Sequence, residues 1–470
     1  MRLTKTDFQR FLQCQKSFWL SKRKPEVVPK PDPTAHLKRL ARDGYEVEAY
    51  AKAFFETKNG PIDFTFQEEF ESANGLYARV DILGRHSDGT IDIYEVKSTT
   101  TVKKEHVLDA AFQMIVAQAA GTTVNRVYVV HLDGSYVRQG DVDRAGLFKI
   151  SDQTEAARVN EISLRTQIQS ALNFLQLDAI DETSCSCLQR GRSSHCDTFG
   201  YLNPTIPEPS IYTLPRIKKE KLAHFAAQGR FDLTKIAPDE VSKTQALLVQ
   251  SAHRGGPVIN LKKIAKFYHQ VEYPLHFLDY ETFASAVPKI DGTRPHMPIP
   301  FQYSLHIKKN ADDRDAQHFE YLADALTLPE KMIAHMEQQI GPTGSIVSWH
   351  ASFEKTQNKT MAKWYPEKAA FLNEINARMI DLEKIFKLAY VDIAFGGSTS
   401  IKKVLPILVK DLDYSGMDVA NGTDAMEAWI RYVDLPAGST KDTLRKSLLQ
   451  YCELDTYAMV RIFDEVRRLL

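Results

Sequence analysis

The chain has 470 residues, and its 60 Lys and Arg balance 60 Asp and Glu for a formal net charge of zero. A 43% hydrophobic share with 10% aromatics excludes a disordered chain, and neutrality excludes a protein that coats nucleic acid through bulk positive charge while leaving room for a local basic groove. No apolar run nears the roughly 18 residues that span a bilayer, and the opening MRLTKTDFQRFLQCQKSFWL lacks a signal-peptide centre, so a cytoplasmic location is expected.

A chain of this length is expected to hold about three domains. Its opening segment through Leu20 reads as one helix, with Leu3, Phe8, Phe11, Leu12 and Phe18 partly in register, stopped by SKRKPEVVPKPDP. A helix over 36–55 follows. Then FTFQEEFES, LYARVDILGR and TIDIYEVKS alternate like strands, with Asn74-Gly75 and Asp88-Gly89 in the turns of a hairpin meander. A helix over 106–120 before the strand NRVYVVHLDG makes the sheet mixed, and a helix over 155–177 leads to a group of cysteines. The proline-rich GYLNPTIPEPSIYTLP marks a boundary, so the first domain is placed at 1–200, a helical connector at 201–271 and a last α/β domain at 272–470.

Two acidic constellations carry the chemistry. In the first, Glu95 and Lys97 stand two apart on a strand and share a face, and Asp81 joins them from the neighbouring strand. Two carboxylates and a backbone carbonyl suit Mg2+ or Mn2+, and Lys97 suits the positioning of a water or of phosphorane charge. In the second, the apolar strand LHFL runs into Asp279-Tyr280-Glu281, with both carboxylates on one face at the strand end, while Tyr451 and Asp455 are four apart and stack on one side of a helix. This set suits a two-metal site in which Asp279 would bridge both ions, Glu281 and Asp455 would complete the shells and Tyr451 would orient the nucleophilic water. Lys402 and Lys403 in FGGSTSIKKVLP suit either phosphate contact or a solvated loop. Phe18, Trp19 and Tyr303 suit either base stacking or, more commonly, core packing.

Of five cysteines, Cys185, Cys187 and Cys196 are close together, Cys14 lies in the opening helix, and Cys452 reads as a small buried apolar residue. Clustered thiols in a cytosolic chain point to metal rather than disulfides.

Asp81 followed by Glu95-Val96-Lys97 resembles the PD-(D/E)XK nuclease motif, and Ser98-Thr99 with Gln113 resembles its RecB-type branch. That branch draws a further ligand from a preceding helix, where this chain offers Glu48, with His36 as the alternative. Cys14 with Cys185, Cys187 and Cys196 resembles the thiolate set of iron-sulfur RecB-type nucleases, which implies a 4Fe-4S cluster; zinc on the same thiolates, or with His195 replacing one, is the alternative. Asp279-x-Glu281 with Tyr451-x-x-x-Asp455 resembles the DEDDy exonucleases of the DnaQ-like group, whose middle motif falls here on His350, Phe353 and Glu354, with Asp381 as an alternative ligand.

The joined pattern resembles a bacterial two-nuclease family. It implies an α/β protein with a restriction-endonuclease-like PD-(D/E)XK core, a helical connector and an RNase H-like domain. It further implies metal-dependent cleavage of nucleic acid, DNA foremost, with 3′-to-5′ trimming by the last domain, in repair, recombination or phage defence. One live site beside a binding site, or a non-catalytic nucleic-acid-binding scaffold, are the alternatives.

Overall fold

The structure, a computed structural model, describes residues 2–30, 35–313 and 315–470. It is mixed α/β and divides into two compact units: Met1–Thr205 with Ser285–Met297, and Ile206–Ala284 with Pro298–Leu470. No helix among the described residues is long and apolar enough to cross a membrane.

The first unit runs α1 (Lys5–Gln13), α2 (Gln15–Arg23), α3 (Ala35–Glu56), β1 (Asp63–Glu71), β2 (Tyr77–Arg85), β3 (Ile91–Lys97), α4 (Lys104–Ala119), β4 (Val124–Leu132), α5 (Arg144–Leu147), β5 (Phe148–Asp152), α6 (Thr154–Leu175) and α7 (Phe199–Leu202). The strands form one sheet in chain order. β1, β2 and β3 are antiparallel hairpins, β3 and β4 are parallel because α4 carries the chain across, and β5 returns antiparallel. Gly75 and Gly89 take the positive φ that the two hairpin turns need. β3 is the middle strand and buried from Ile91 through Glu95. One face packs on Phe112 and Ile115 of α4 with Phe8, Phe11 and Ile168; the other packs on Val47, Ala51 and Phe55 of α3.

The opening segment departs from the single helix its periodicity suggests. Cys14 is extended (φ −159°, ψ 110°) and ends α1 while starting α2. The break turns residue 14 out of helical register, and its thiol joins the other cysteines.

The second unit runs α8 (Lys219–Ala227), α9 (Lys243–Arg254), β6 (Val258–Ile259), α10 (Leu261–Tyr268), β7 (Leu275–Phe283), β8 (Ile299–Lys308), β9 (Gln317–Leu322), α11 (Glu330–Gln339), β10 (Ile346–Ser348), α12 (Ser352–Trp364), α13 (Ala369–Arg378), β11 (Met379–Asp381), α14 (Glu383–Leu388), β12 (Tyr390–Val391), α15 (Ile401–Leu408), α16 (Gly422–Asp434) and α17 (Ser439–Arg467). Its main sheet has the order β11-β10-β7-β8-β9. The helices of the stretch read as a connector group with this unit: β6 pairs with β12, and Ile264 of α10 is buried in the core beside Phe463 of α17.

Alternation along β7 separates two cores. Phe277 joins the α14, α15 and α17 side, whereas Leu278 and Tyr280 join the side that also buries Met332, Met361 and Ile375 of α11, α12 and α13. Asp279 and Glu281 therefore share the face of Phe277. They lie inside β7 rather than at its end, since the strand continues to Phe283. Pairing with β10 stops at Phe277↔Val347, so the β7 edge is open beside them.

The turn before β10 fits under the chain entering β7 only because residue 344 is glycine. Its φ is +85°, and a Cβ would lie 1.9 Å from the Pro274 carbonyl oxygen, which is backbone and cannot swing aside. Gly344→Ala is expected to lower stability by more than about 1 kcal/mol, read as a lower urea midpoint at unchanged slope.

Candidate active site and metal centre

Residues from β7, α12, α15 and α17 enclose a cavity of about 330 Å3 lined by Asp279, Glu281, His350, Phe353, Glu354, Lys402, Tyr451 and Asp455, among others. One carboxylate oxygen from each of Asp279, Glu281 and Asp455 lies within 4.8 Å of the others. Glu354 brings a fourth carboxyl, 2% exposed, whose Oε2 is buried with no hydrogen-bond partner among the described residues. Three negative groups this close repel, and burial removes the water that would screen them.

The titration of these groups records that repulsion. Burial, then the charges of Asp455, Glu354 and Glu281, push Asp279 well above the ordinary carboxylate range. Glu281 is pushed up to about 8 by burial and then by Asp455. Glu354 is pushed up to about 8, again chiefly by burial. Asp455 rises only to about 6, because burial is opposed by the Tyr414 hydroxyl, Lys402 and Tyr451.

Two partners of this site were not legible in the sequence as such. Tyr414, in the loop after α15, donates to Asp455 Oδ1 at 2.6 Å. Lys402 donates to Tyr451 Oη at 2.9 Å and to the Ala420 carbonyl at 2.6 Å, and its ammonium lies 4.8 Å from the Tyr451 ring centroid. Lys402 is thus inside the cavity rather than on a phosphate-binding loop, whereas Lys403 is exposed. Asp381 is occupied otherwise: its Oδ1 accepts from the backbone N–H of His350 at 3.2 Å and of Glu383 at 3.1 Å. It shapes the turn at His350, whose φ is +63°, and does not line the cavity. His350 itself pairs Nδ1 with Glu383 at 2.8 Å.

In the first unit, Asp81 and Glu95 occupy the positions next to the last ladder pair, Ile82↔Tyr94. Asp81 Oδ2 accepts the Val96 N–H at 2.9 Å. Glu95 is 1% exposed, and its Oε1 accepts from both Lys97 and Lys5 at 2.7 Å, while Gln113 donates to Oε2. Lys97 also reaches Asp109 at 2.9 Å. Burial favours a neutral Glu95, but the two ammonium groups outweigh it and hold the carboxyl down to about 2. Asp81, buried and beside that charge, is pushed up to about 7. Lys5 and Asp109 are additions that the strand motif did not disclose. Glu48 is hydrogen-bonded by Gln67 and raised by burial, and His36 is exposed on α3.

The thiols of Cys14, Cys185, Cys187 and Cys196 are all buried and within 4.8 Å of one another, with Cys185 and Cys196 Sγ 4.0 Å apart. This cluster can hold a metal. His195 stands outside it, with Nε2 on the Arg190 carbonyl at 2.9 Å and its ring stacked on Phe199. Cys452 is fully buried in α17. Phe18, Trp19 and Tyr303 are buried core residues, which removes the base-stacking reading for them; Phe353, 38% exposed, is the aromatic that edges the cavity.

A carboxyl that binds its proton more tightly folded than unfolded stabilises the native state below its unfolded value and ceases to do so above its folded one. For Glu281 that window runs from about 4.5 to about 8. Chelator-treated protein is therefore expected to lose stability as pH rises through this window. Glu281→Gln should lose less, by on the order of 1–3 kcal/mol, in thermal unfolding followed across pH; a flat wild-type profile would refute the repulsion.

Residues 276–400 match a family described as "Domain of unknown function (DUF2779)". That segment contains Asp279, Glu281, Glu354 and Asp381 but neither Tyr451 nor Asp455. The chain is also 29% identical over 206 residues to "Uncharacterized protein MG366 homolog" of Mycoplasma pneumoniae, a match covering 40% of this chain and 31% of that protein. The chain thus spans about a third of the length of that relative.

Proposed function

We propose that the protein is a Mg2+- or Mn2+-dependent nuclease, acting on DNA foremost, whose principal catalytic centre is the cavity between β7 and α17. The single observation that carries this reading is the packing of Asp279, Glu281 and Asp455 within 4.8 Å, with Glu354 Oε2 beside them lacking a hydrogen-bond partner among the described residues. Oxygen-only donors of that number suit hard divalent cations. Glu354 fits the set, since its free Oε2 lacks what a cation would supply.

When bound, the cations would supply charge stabilisation at a phosphoryl oxygen and lower the pKa of a water. Asp279, Glu281, Asp455 and Glu354 would hold them. Burial keeps Tyr451 protonated, and because Lys402 donates to its oxygen, the tyrosine hydrogen is free to orient a carboxylate or the attacking water. Lys402 offsets negative charge within the cavity. The DEDDy resemblance adds a 3′-to-5′ direction.

The Asp81, Glu95 and Lys97 cluster supports a second PD-(D/E)XK-type centre, with Lys97 placed to stabilise phosphorane charge and Gln113 to fix Glu95. Its carboxylate is already neutralised by two ammonium groups, so of the two centres it is the better candidate for holding nucleic acid without cutting. For the cysteines, a tetrahedral ion with metal–sulfur bonds of about 2.3 Å has sulfur–sulfur edges of about 3.8 Å. The observed 4.0 Å favours one Zn2+ over a 4Fe-4S cube, whose thiolates each take a separate iron.

On end-labelled DNA with Mn2+, Asp279→Asn should lose about 100-fold or more of the cleavage rate, whereas Asp81→Asn should retain most of it. Loss in Asp81→Asn with the rate retained in Asp279→Asn would place the chemistry in the first unit, and Mn2+-independent binding without cleavage would leave a scaffold. Anaerobically purified protein should carry zinc on the four thiolates and no brown iron-sulfur chromophore; stoichiometric iron and sulfide would reverse that assignment.

A further inference from the structure

On the same sheet, β8 and β9 carry a group that the nuclease reading does not use. His306 and His318 are direct cross-strand partners, and Ser304 pairs with Glu320 two positions along, so all four side chains stand on one face. Glu453 and Thr456 meet that face from α17. One donor atom from each of His306, His318 and Glu453 lies within 4.8 Å of the others.

We infer that His306, His318 and Glu453 form a binding site for a borderline divalent transition-metal ion, with Zn2+ as the reference ligand, that ties α17 to the β8–β9 hairpin. The hydrogen bonds around the rings decide which nitrogens are available. Thr456 Oγ1 donates its hydrogen to the Glu453 carbonyl at 3.1 Å, so it must accept from His306 Nδ1 at 2.8 Å and from Ser304 Oγ at 2.6 Å. Ser304 has then spent its own hydrogen and must accept from His318 Nε2 at 2.9 Å. This leaves lone pairs on Nε2 of His306 and Nδ1 of His318.

His318 Nδ1 lies 3.6 Å from Glu453 Oε1. That distance is too long for a hydrogen bond. It is close to the ligand–ligand edge, about 3.4 Å, of a tetrahedral ion with bonds of about 2.0–2.1 Å. Two imidazoles whose other nitrogens are fixed by hydroxyls, facing one carboxylate, are the donor set and outer shell that such ions take. Burial also keeps both rings neutral, as ligation requires: His306 is held down to about 3, and His318 below its usual value although Glu453 opposes this. Glu320 nearby is raised by burial and then by Glu453, with Arg445 offsetting part of the charge. Glu453 is 48% exposed, which gives an ion a route in.

The test uses the full chain and Zn2+ alone, with bound metal counted after gel filtration. The parent should retain one equivalent more than His318→Gln or Glu453→Gln, the thiolate-bound metal being the same in all three. Co2+ should give the parent a visible band, absent from both variants, without the sulfur charge transfer of the cysteine centre. Far-ultraviolet circular dichroism matching the parent verifies folding, and Glu453→Gln, at an exposed position, provides that check if His318→Gln does not fold. Equal metal retention by the parent and a folded variant, or an ion pair that shifts stability with pH but takes up no Zn2+, would overturn the proposal. Neither result bears on cleavage by the acidic cavity, which the Asp279→Asn assay reads separately.

Discussion

The second unit depends on burying mutually repelling carboxyls between β7 and α17. Both elements are there for apolar reasons: Phe277 of β7 packs against Phe463 of α17 with ring centroids 5.6 Å apart, and Leu448, Cys452, Met459 and Ile462 continue the helix's buried side. The strand period carries Asp279 and Glu281 onto the same face as Phe277, and the helical period brings Asp455 to meet them. The apolar contact therefore sets the spacing of the acids. Removing charge from water in this way costs several kcal/mol per ion before any partner is counted. Tyr414 and Lys402 recover part of that cost for Asp455, which is why it is raised least.

The two acidic centres differ in how their charge is balanced. In the first unit every oxygen of Glu95 has a donor, two of them ammonium groups, and the carboxyl stays ionised at all ordinary pH. In the second, Glu354 Oε2 has no hydrogen-bond partner among the described residues, and its neighbours Asp279, Glu281 and Asp455 are pushed upward. A closed network satisfies its charges internally, whereas an open one leaves buried carboxyl oxygens without donors. α12 brings the Glu354 side chain to the cavity wall.

What the sequence disclosed and what it hid follow from the range of the interactions. Asp279-x-Glu281 and Tyr451-x-x-x-Asp455 are readable because strand and helix periods act within a few residues. The hairpins around Gly75 and Gly89 are readable for the same reason. Tyr414, Lys402, Lys5 and Asp109 reach their partners across 12 to 90 residues of chain, and nothing local distinguishes them from ordinary surface tyrosine, lysine or aspartate. Cys14 was readable as a thiol but not as a helix break, since KTDFQRFLQCQKSFWL keeps a helical apolar pattern through it; tertiary demand for a sulfur in the cluster overrides the pattern. His306 and His318 were missed because antiparallel register, not spacing, makes them neighbours.

One helix carries both features of the second unit. On α17, Tyr451 and Asp455 turn toward the acidic cavity, while Glu453 and Thr456 turn toward β8 and β9. A residue two along a helix is rotated by roughly 200°, so these stripes lie on different sides of a rod whose register is fixed by its buried apolar row. A helix packed this way moves as a body: closer packing interiors resist continuous deformation. Glu453 and Asp455 are thus held in place by one and the same helix packing. Thr456 makes the link direct, since it follows Asp455 in the chain and holds both His306 and Ser304. The spacing of the carboxyls in the cavity is thus fixed from both sides of α17, by apolar packing on Phe277 and by the hydroxyl and imidazole contacts of β8.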